Sequence, residues 1–345
     1  MEGAVASTGD ATRRLRAAMS PCALCPRLCG ARRLDGQRGV CGADGTLRIA
    51  RAALHYWEEP PISGEEGSGA IFFSHCSLKC RFCQNGSISA GGFGKAISED
   101  RLWHIMLELQ AQGANNINLV TATHYAPQAA DAVRRARAEG LRIPVVYNTS
   151  SYELPWVVDE LAGVVDVWLP DDKYASADLA RRLSRAGDYP SLALAAIERM
   201  VASVEARGGR LVDERGIMRR GVIVRNLVLP GHVADSLRVL DGLWARFGNR
   251  IDVSVMNQYT PQCGPEGLPD APELGRALSD EEYELVLDHA DDLGFENMWW
   301  QQGGTVSESF VPAFDMTGVD APATAASPAR ETGDAPVADG DEGGR

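Results

Sequence analysis

Six short, nearly continuous apolar runs recur through the middle of this 345-residue chain, and helical patterns separate them. The runs are Gly69–Ser74, Asn116–Thr121, Ile143–Asn148, Val164–Leu169, Gly221–Leu229 and Ile251–Asn257. The spacing predicts helices over Glu99–Gln112, Pro127–Glu139, Leu154–Leu161, Ala177–Ala186 with Ser191–Ala206, Ala234–Phe247 and Asp280–Leu293. Ser98-Glu99-Asp100 reads as an N-cap followed by an acidic first turn. Strands with no polar alternation are buried on both faces, and strands alternating with helices build a parallel sheet. The class is therefore α/β. A closed or partly closed barrel fits, with a doubly wound open sheet as the alternative, and in such barrels chemistry gathers at the carboxyl ends of the strands.

An apolar content of 45% supplies a sizeable core, while no run approaches the length of a membrane span. The net charge of −13 disfavours nucleic acid as a general partner, because phosphate binding needs basic patches. Met1 to Asp10 lacks a basic segment followed by an apolar one, so a cytoplasmic location is expected. In that reducing compartment clustered thiols read as metal ligands rather than disulfides. Residues 1–20 are small, polar and Ala-rich and read as a disordered tail. Gly318 to Arg345 contains no apolar residue larger than Val and reads as a disordered acidic tail. The expected organisation is a tail over 1–20, a Cys-rich metal-binding segment over 21–66, the barrel over 67–303 and an extension over 304–345.

Seven of the eight cysteines fall into two sets. Cys76, Cys80 and Cys83 follow the first predicted strand with the spacing C-x3-C-x2-C. Three thiolates on one loop can hold three corners of a cube but cannot complete a four-coordinate site unaided. A [4Fe–4S] cluster held this way keeps one iron open. The alternative is half of a zinc site with a ligand elsewhere, and His75 is adjacent. Cys22, Cys25, Cys29 and Cys41 form C-x2-C-x3-C-x11-C, which suits a structural zinc or an auxiliary Fe–S cluster equally. Arg27, Arg32, Arg33 and Arg38 beside this set read as a solvated basic face or as counterions to thiolates. Cys263 reads as an ordinary loop thiol, and Trp299-Trp300 as core or barrel-rim packing.

The predicted strand ends form a polar constellation. They carry Thr121-Ala122-Thr123-His124, Asn148 to Glu153, Asp171-Asp172-Lys173, Arg225 and Asn226, and Asn257-Gln258-Tyr259. Any one of these is an ordinary polar residue at a sheet end; together they favour a small-molecule site.

The Cys76–Cys83 loop with an aromatic before its last cysteine, Asp171-x-Lys173 and the segment RNLVLPG from Arg225 to Gly231 resemble the radical S-adenosylmethionine (radical SAM) superfamily. Within it they are similar to the group labelled pyruvate formate-lyase activating enzyme-like, over roughly residues 21–303. The resemblance implies a partial (β/α)6 barrel behind an N-terminal metal knuckle. It implies a [4Fe–4S] cluster on Cys76, Cys80 and Cys83 that cleaves SAM reductively to a 5′-deoxyadenosyl radical for hydrogen abstraction, an oxidoreductase or lyase chemistry. Asn148 and Lys173 then face the methionyl part of SAM, Asp171 meets the ribose, and Arg225 lies near the carboxylate or fixes the acids. Thr121, Thr123, His124 and Asn257 join the candidate cofactor set by their strand-end positions and not by the resemblance. A low-potential donor such as flavodoxin or ferredoxin is the implied electron source, and a protein or peptide is one substrate class. One position departs from the glycyl-radical activating enzymes. Their Gly-Gly-Glu-type turn after strand two is replaced here by Thr121-Ala122-Thr123-His124, which puts transfer of that activity in question.

Overall fold

The computed structural model describes residues 8–301 and 311–321. The strands are β1 (Arg48–His55), β2 (Ser68–Phe73), β3 (Lys95–Ala96), β4 (Ile117–Val120), β5 (Val145–Thr149), β6 (Val167–Pro170), β7 (Leu211–Val212), β8 (Met218–Leu227), β9 (Asp252–Met256) and β10 (Met298–Trp300). The helices are α1 (Thr8–Ala17), the short turns α2 (Pro60–Ser63) and α3 (Gly86–Ser89), α4 (Glu99–Ala111), α5 (Ala126–Ala138), α6 (Pro155–Leu161), α7 (Ala177–Ser184), α8 (Tyr189–Glu205), α9 (Val233–Phe247) and α10 (Asp280–Leu293).

The sheet order is β10-β9-β8-β6-β5-β4-β2-β1-β3, with β7 paired to β8. From β2 to β10 each neighbouring pair on this path is parallel. The strands do not close on themselves, so the architecture is a mixed α/β partial barrel. β2, β4, β5 and β6 are buried along their whole length, as their unbroken apolar character requires. Ser98 caps α4 by accepting from the Arg101 N–H, as its position predicts.

Three features depart from the sequence reading. β1 pairs antiparallel with β2, so the sheet begins at Arg48, inside the segment assigned to the Cys-rich unit. Arg-Ile-Ala-Arg-Ala-Ala-Leu-His carries no clean period of two, so its spacing does not predict a strand. Thr8–Ala17 is a helix rather than a disordered tail: Leu15 and Met19 are fully buried, and Arg14 bonds Glu160 at 2.8 Å. Gly318–Ala321 lies in the predicted acidic tail yet is docked. The Met316 N–H donates to Ala50 O, Ala52 N–H donates to Thr317 O, and Val319 is buried. The Arg101 guanidinium donates to the carbonyls of Gly318, Val319 and Asp320. This segment covers the β1 edge, which would otherwise expose unpaired backbone groups. The remainder of that tail, 322–345, and residues 1–7 lie outside the described residues. Among the described residues no helix is long and apolar enough to cross a membrane.

Candidate active site

The loop after β2 is shaped by residues in conformations that side chains rarely adopt. His75 (φ 75°) and Lys79 (φ 51°) are left-handed, and so is Thr121 (φ 63°) at the end of β4. The His75 ring fits only because two glycines face it. A Cβ at Gly92 would sit 2.4 Å from His75 Cε1, and one at Gly42 would sit 2.9 Å from its Nδ1. His75 N–H donates to Ile88 O at 2.8 Å, and Arg81 N–H donates to Leu183 O at 2.9 Å, so both ends of the loop are tied to neighbouring elements. Phe82 packs edge-on against Tyr174, with ring centroids 6.3 Å apart.

Cys76, Cys80 and Cys83 are free thiols that line one cavity of about 550 Å³. Burial pushes the Cys76 thiol up to about 12, with Cys80 and Cys83 adding, and burial also raises Cys80. Donors already face two of the sulfurs: Leu78 N–H on Cys76 Sγ and Ser89 Oγ–H on Cys83 Sγ, each at 3.4 Å. Among the described residues no group of three or more His, Cys, Asp or Glu side chains is drawn together as a metal-ion site. A cube-shaped cluster takes its ligands at separate corners and so spreads them more widely than a tetrahedron around one ion does. Three cysteines lining one cavity, with donors to two of the sulfurs, fit the cluster that the sequence resemblance implies.

The same cavity carries a buried charge network. Arg225 is its hub. It donates through Nε to Asp171 Oδ1 (2.8 Å), through Nη1 to Glu58 Oε2 (3.0 Å) and through Nη2 to Asn148 Oδ1 (2.6 Å). Lys173 Nζ donates to the other Asp171 oxygen at 2.6 Å. Asn118 and Asn148 each donate to Glu58 Oε1, at 3.1 and 3.2 Å. Burial alone raises Asp171, but Arg225 and Lys173 outweigh it and hold its carboxyl below the usual range. Burial pushes Glu59 up to about 7, and its Oε2 is buried without a hydrogen-bond partner. The network thus holds both signs of charge in a site sheltered from water, where each interaction is stronger than in solvent.

Of the sequence-predicted contacts, Thr121, Asn148, Asp171, Lys173 and Arg225 line the cavity. Thr123, His124 and Asn257 do not. Thr123 Oγ1 turns away to donate to Glu153 at 2.6 Å, and the buried His124 ring lies 2.8 Å from Ser74 O through Nε2. Burial lowers His124 to about 3, with Arg33 adding, so it is neutral. Both positions follow a strand end, but the 3-10 turn Thr123–Tyr125 reverses the chain before they reach the cavity. Trp299 and Trp300 stand at the cavity wall, with Trp300 exposed. Cys263 lies outside the cavity lining, its Sγ 3.6 Å from Leu274 O. Glu58 and Glu59, in the connection from β1 to β2, also line the cavity, and nothing in their spacing predicts it. Two adjacent acids before two prolines look like a surface loop, and only β1 folding beside β2 carries them over the cavity.

The second cysteine set forms a knuckle. Cys22 N–H donates to Ala31 O (2.9 Å), Gly30 N–H to Cys22 O (3.0 Å) and Gly39 N–H to Ala43 O (2.9 Å). A Cβ at Gly39 would lie 3.3 Å from Cys29 Sγ and 3.4 Å from Cys41 Sγ, so glycine leaves the space between these sulfurs open. Burial pushes the Cys25 thiol up to about 12 and raises Cys41. The arginines divide. Arg32 and Arg38 are exposed, as a solvated face requires, but Arg33 is fully buried. Its Nη1 lies 3.9 Å from Cys22 Sγ and donates to His124 O at 2.7 Å, joining the knuckle to the end of β4.

Residues 70–211 match the sequence profile of the radical SAM superfamily. Over that segment the chain is similar to the radical SAM superfamily. The matched segment contains the cluster loop and the Asp171–Lys173 wall. An uncharacterized protein of Methanocaldococcus jannaschii is 28% identical over 282 residues, covering 80% of this chain and 75% of its own. Among solved structures, Streptococcus suis SuiB bound to S-adenosylmethionine is similar at 15% identity and TM-score 0.45, over 66% of this chain and 48% of that one. A domain of pyruvate-formate lyase-activating enzyme from Bacteroides vulgatus is similar at 13% identity and TM-score 0.36, over 52% of this chain and 92% of that one. The chain spans about half the length of the SuiB structure it matches.

Proposed function

We propose that this enzyme binds a [4Fe–4S] cluster on Cys76, Cys80 and Cys83 and SAM in the adjoining cavity. The observation that carries the reading is that three cysteines share one cavity with Asn148, Asp171, Lys173 and Arg225. Bound there, the cluster and SAM would supply one-electron reductive cleavage of SAM to methionine and a 5′-deoxyadenosyl radical, the species that would take a hydrogen atom from a substrate. The electron comes from a low-potential donor, flavodoxin or ferredoxin in class.

This chain's own residues supply binding, orientation and shelter. Lys173 offers a cation to the SAM carboxylate and Asp171 an acceptor to the ribose hydroxyls. Arg225 bonds both Asp171 and Glu58 and, with Lys173, keeps the Asp171 carboxyl below its usual range, so Asp171 reaches a ligand already oriented. The Thr121 backbone, in its left-handed turn, stands where the activating enzymes place Gly-Gly-Glu and offers polar groups to the SAM ammonium. A protein or peptide is the substrate class we favour, with a cavity rimmed by the exposed Tyr56, Trp57 and Trp300 as its entrance. In the knuckle, Cys22, Cys25, Cys29 and Cys41 hold a second metal, zinc or an auxiliary cluster.

The test is anaerobic incubation of reconstituted protein with SAM and a strong reductant, followed by chromatography for 5′-deoxyadenosine. Release above a Cys76→Ala control supports the reading. A colourless, zinc-replete protein with no product at several reductant strengths defeats it.

A further inference from the structure

Arg27 stands between Cys25 and Cys29 in the knuckle, yet its side chain belongs to the cluster loop. Its Nε donates to Ser77 O at 2.9 Å, and its Nη2 faces Leu78 O at 3.4 Å. The same Nη2 donates to Ser184 O at 2.8 Å, and Nη1 donates to Arg185 O at 2.5 Å. The guanidinium lies over the Tyr152 ring, 5.0 Å from its centroid. One side chain thus serves two stretches of backbone that have no neighbouring strand or helix to serve them. Ser77 and Leu78, inside the cysteine loop, are buried, and their carbonyls need a donor. Ser184 and Arg185 close α7, where the last carbonyls are unpaired and the helix dipole favours a cation. A planar fork can meet several carbonyls at fixed angles; an ammonium cannot reproduce that geometry. Further along the loop Arg81 N–H donates to Leu183 O, so the loop is tied to the end of α7 as well as to the knuckle.

We propose that the knuckle is the anchor of the cluster loop and that Arg27 is its positioning residue: the fold of the Cys22–Cys41 segment sets the Ser77–Leu78 backbone, and through it how firmly Cys76 and Cys80 hold their ligand. The proposal deepens the reading above and rests on Cys76–Cys83 being the cluster loop. It explains why a Cys-rich segment precedes the barrel in this chain. Its Cys29 arm rests also on the knuckle metal proposed above: that metal would keep Arg27 in its notch, and its loss would free the loop.

The experiment uses full-length, anaerobically reconstituted protein, the variants Arg27→Gln, Arg27→Lys and Cys29→Ala, and the double variant Arg27→Gln/Cys29→Ala. Two quantities are read: hydrogen exchange over peptides spanning 76–83, with α9 as a distant control, and the rate at which an iron chelator removes the EPR signal that changes on adding SAM. That signal reports the cluster with an open iron and not a metal held by four cysteines. Arg27→Gln should speed cluster loss about tenfold, as removal of an outer-shell partner does, and raise exchange over 76–83 but not over α9. Arg27→Lys should fall between, and it carries the test if Arg27→Gln does not fold. Cys29→Ala should act in the same direction in the parent and add nothing in the Arg27→Gln background. Wild-type exchange and loss rates in both Arg27 variants overturn the proposal, and so do Cys29→Ala and Arg27→Gln effects that multiply. Absence of any SAM-responsive signal in the parent defeats the proposed function instead, and the exchange data still decide whether Arg27 holds the loop.

Discussion

The two cysteine sets use the same ligand in surroundings that differ in one respect. The knuckle folds its thiols inward: tight turns wrap them, Gly39 leaves their sulfurs room, and Arg33 closes one side. The loop after β2 turns its three thiols toward a cavity that also holds Lys173, Asp171 and Arg225. Among the described residues neither set is drawn together as a metal-ion site, and the proposal of a closed site in the knuckle and an open one in the loop rests on what faces the sulfurs, the distinction between structural and catalytic metal centres. Cysteine spacing hints at this difference, but what faces the sulfurs decides it.

The largest expected effect tests the open set. Cys80→Ala should reduce 5′-deoxyadenosine release to background while circular dichroism stays near the parent spectrum, because the parallel sheet does not run through the loop. Full activity in this variant would remove the loop from the chemistry. Cys29→Ala tests the closed set. It should lose the knuckle metal and make residues 21–45 protease-sensitive, since local ligands there are local folding energy, yet leave residual SAM cleavage. Unchanged metal content and protease resistance would make the two sets alike.

Lys173→Ala should weaken SAM binding roughly 10- to 100-fold, the worth of a hydrogen bond to a charged group. Unfolding should move less, because Arg225 still faces Asp171. Equilibrium dialysis beside urea unfolding separates the two. Equal losses in both would recast Lys173 as structural.

A pH effect sharpens the seam between the regions. Glu153 is fully buried, and burial pushes it up to about 7, although Thr123 and Thr149 each donate to its Oε1 at 2.6 Å. Its folded value lies above the usual carboxyl value near 4.3 in the unfolded chain. The folded state therefore holds the proton more tightly. The contribution to stability is present below about pH 4 and is lost as pH rises through 7. Glu153→Gln should flatten stability between pH 5 and 8 and gain on the parent at pH 8 in urea unfolding. An undiminished pH slope would show that other groups set it.

The smallest effects lie at the C-terminus. Val319→Ala should cost about 1–2 kcal/mol, from the buried methyl groups it removes. Deleting residues 322–345 should leave the midpoint of unfolding unchanged, and a shift of several degrees would contradict that.

The six core strands and the helices between them were legible because their periodicity is strong and local: Asp280–Leu293 matches to the residue, and the other helices lie within a few residues of expectation. The gathering of Asn148, Asp171, Lys173 and Arg225 was legible for a related reason, since parallel strands carry their carboxyl ends to one side. Helix α1 departs from the expected tail because its own mean hydropathy is low and its order comes from packing against α5 and α6.

By itself the sequence determined the α/β class, the cysteine sets and the strand ends that meet, since each follows from residue type and spacing along the chain. Tertiary structure alone decided which polar residues face the cavity, how Glu58 and Glu59 reach it, and that Arg27 grips a loop fifty residues away. The physical reason is that hydrogen bonds between distant segments leave no period and no spacing in the chain. Arg27 and Arg38 read identically as basic residues beside cysteines. Only the fold gives one of them four carbonyls to hold and leaves the other in water.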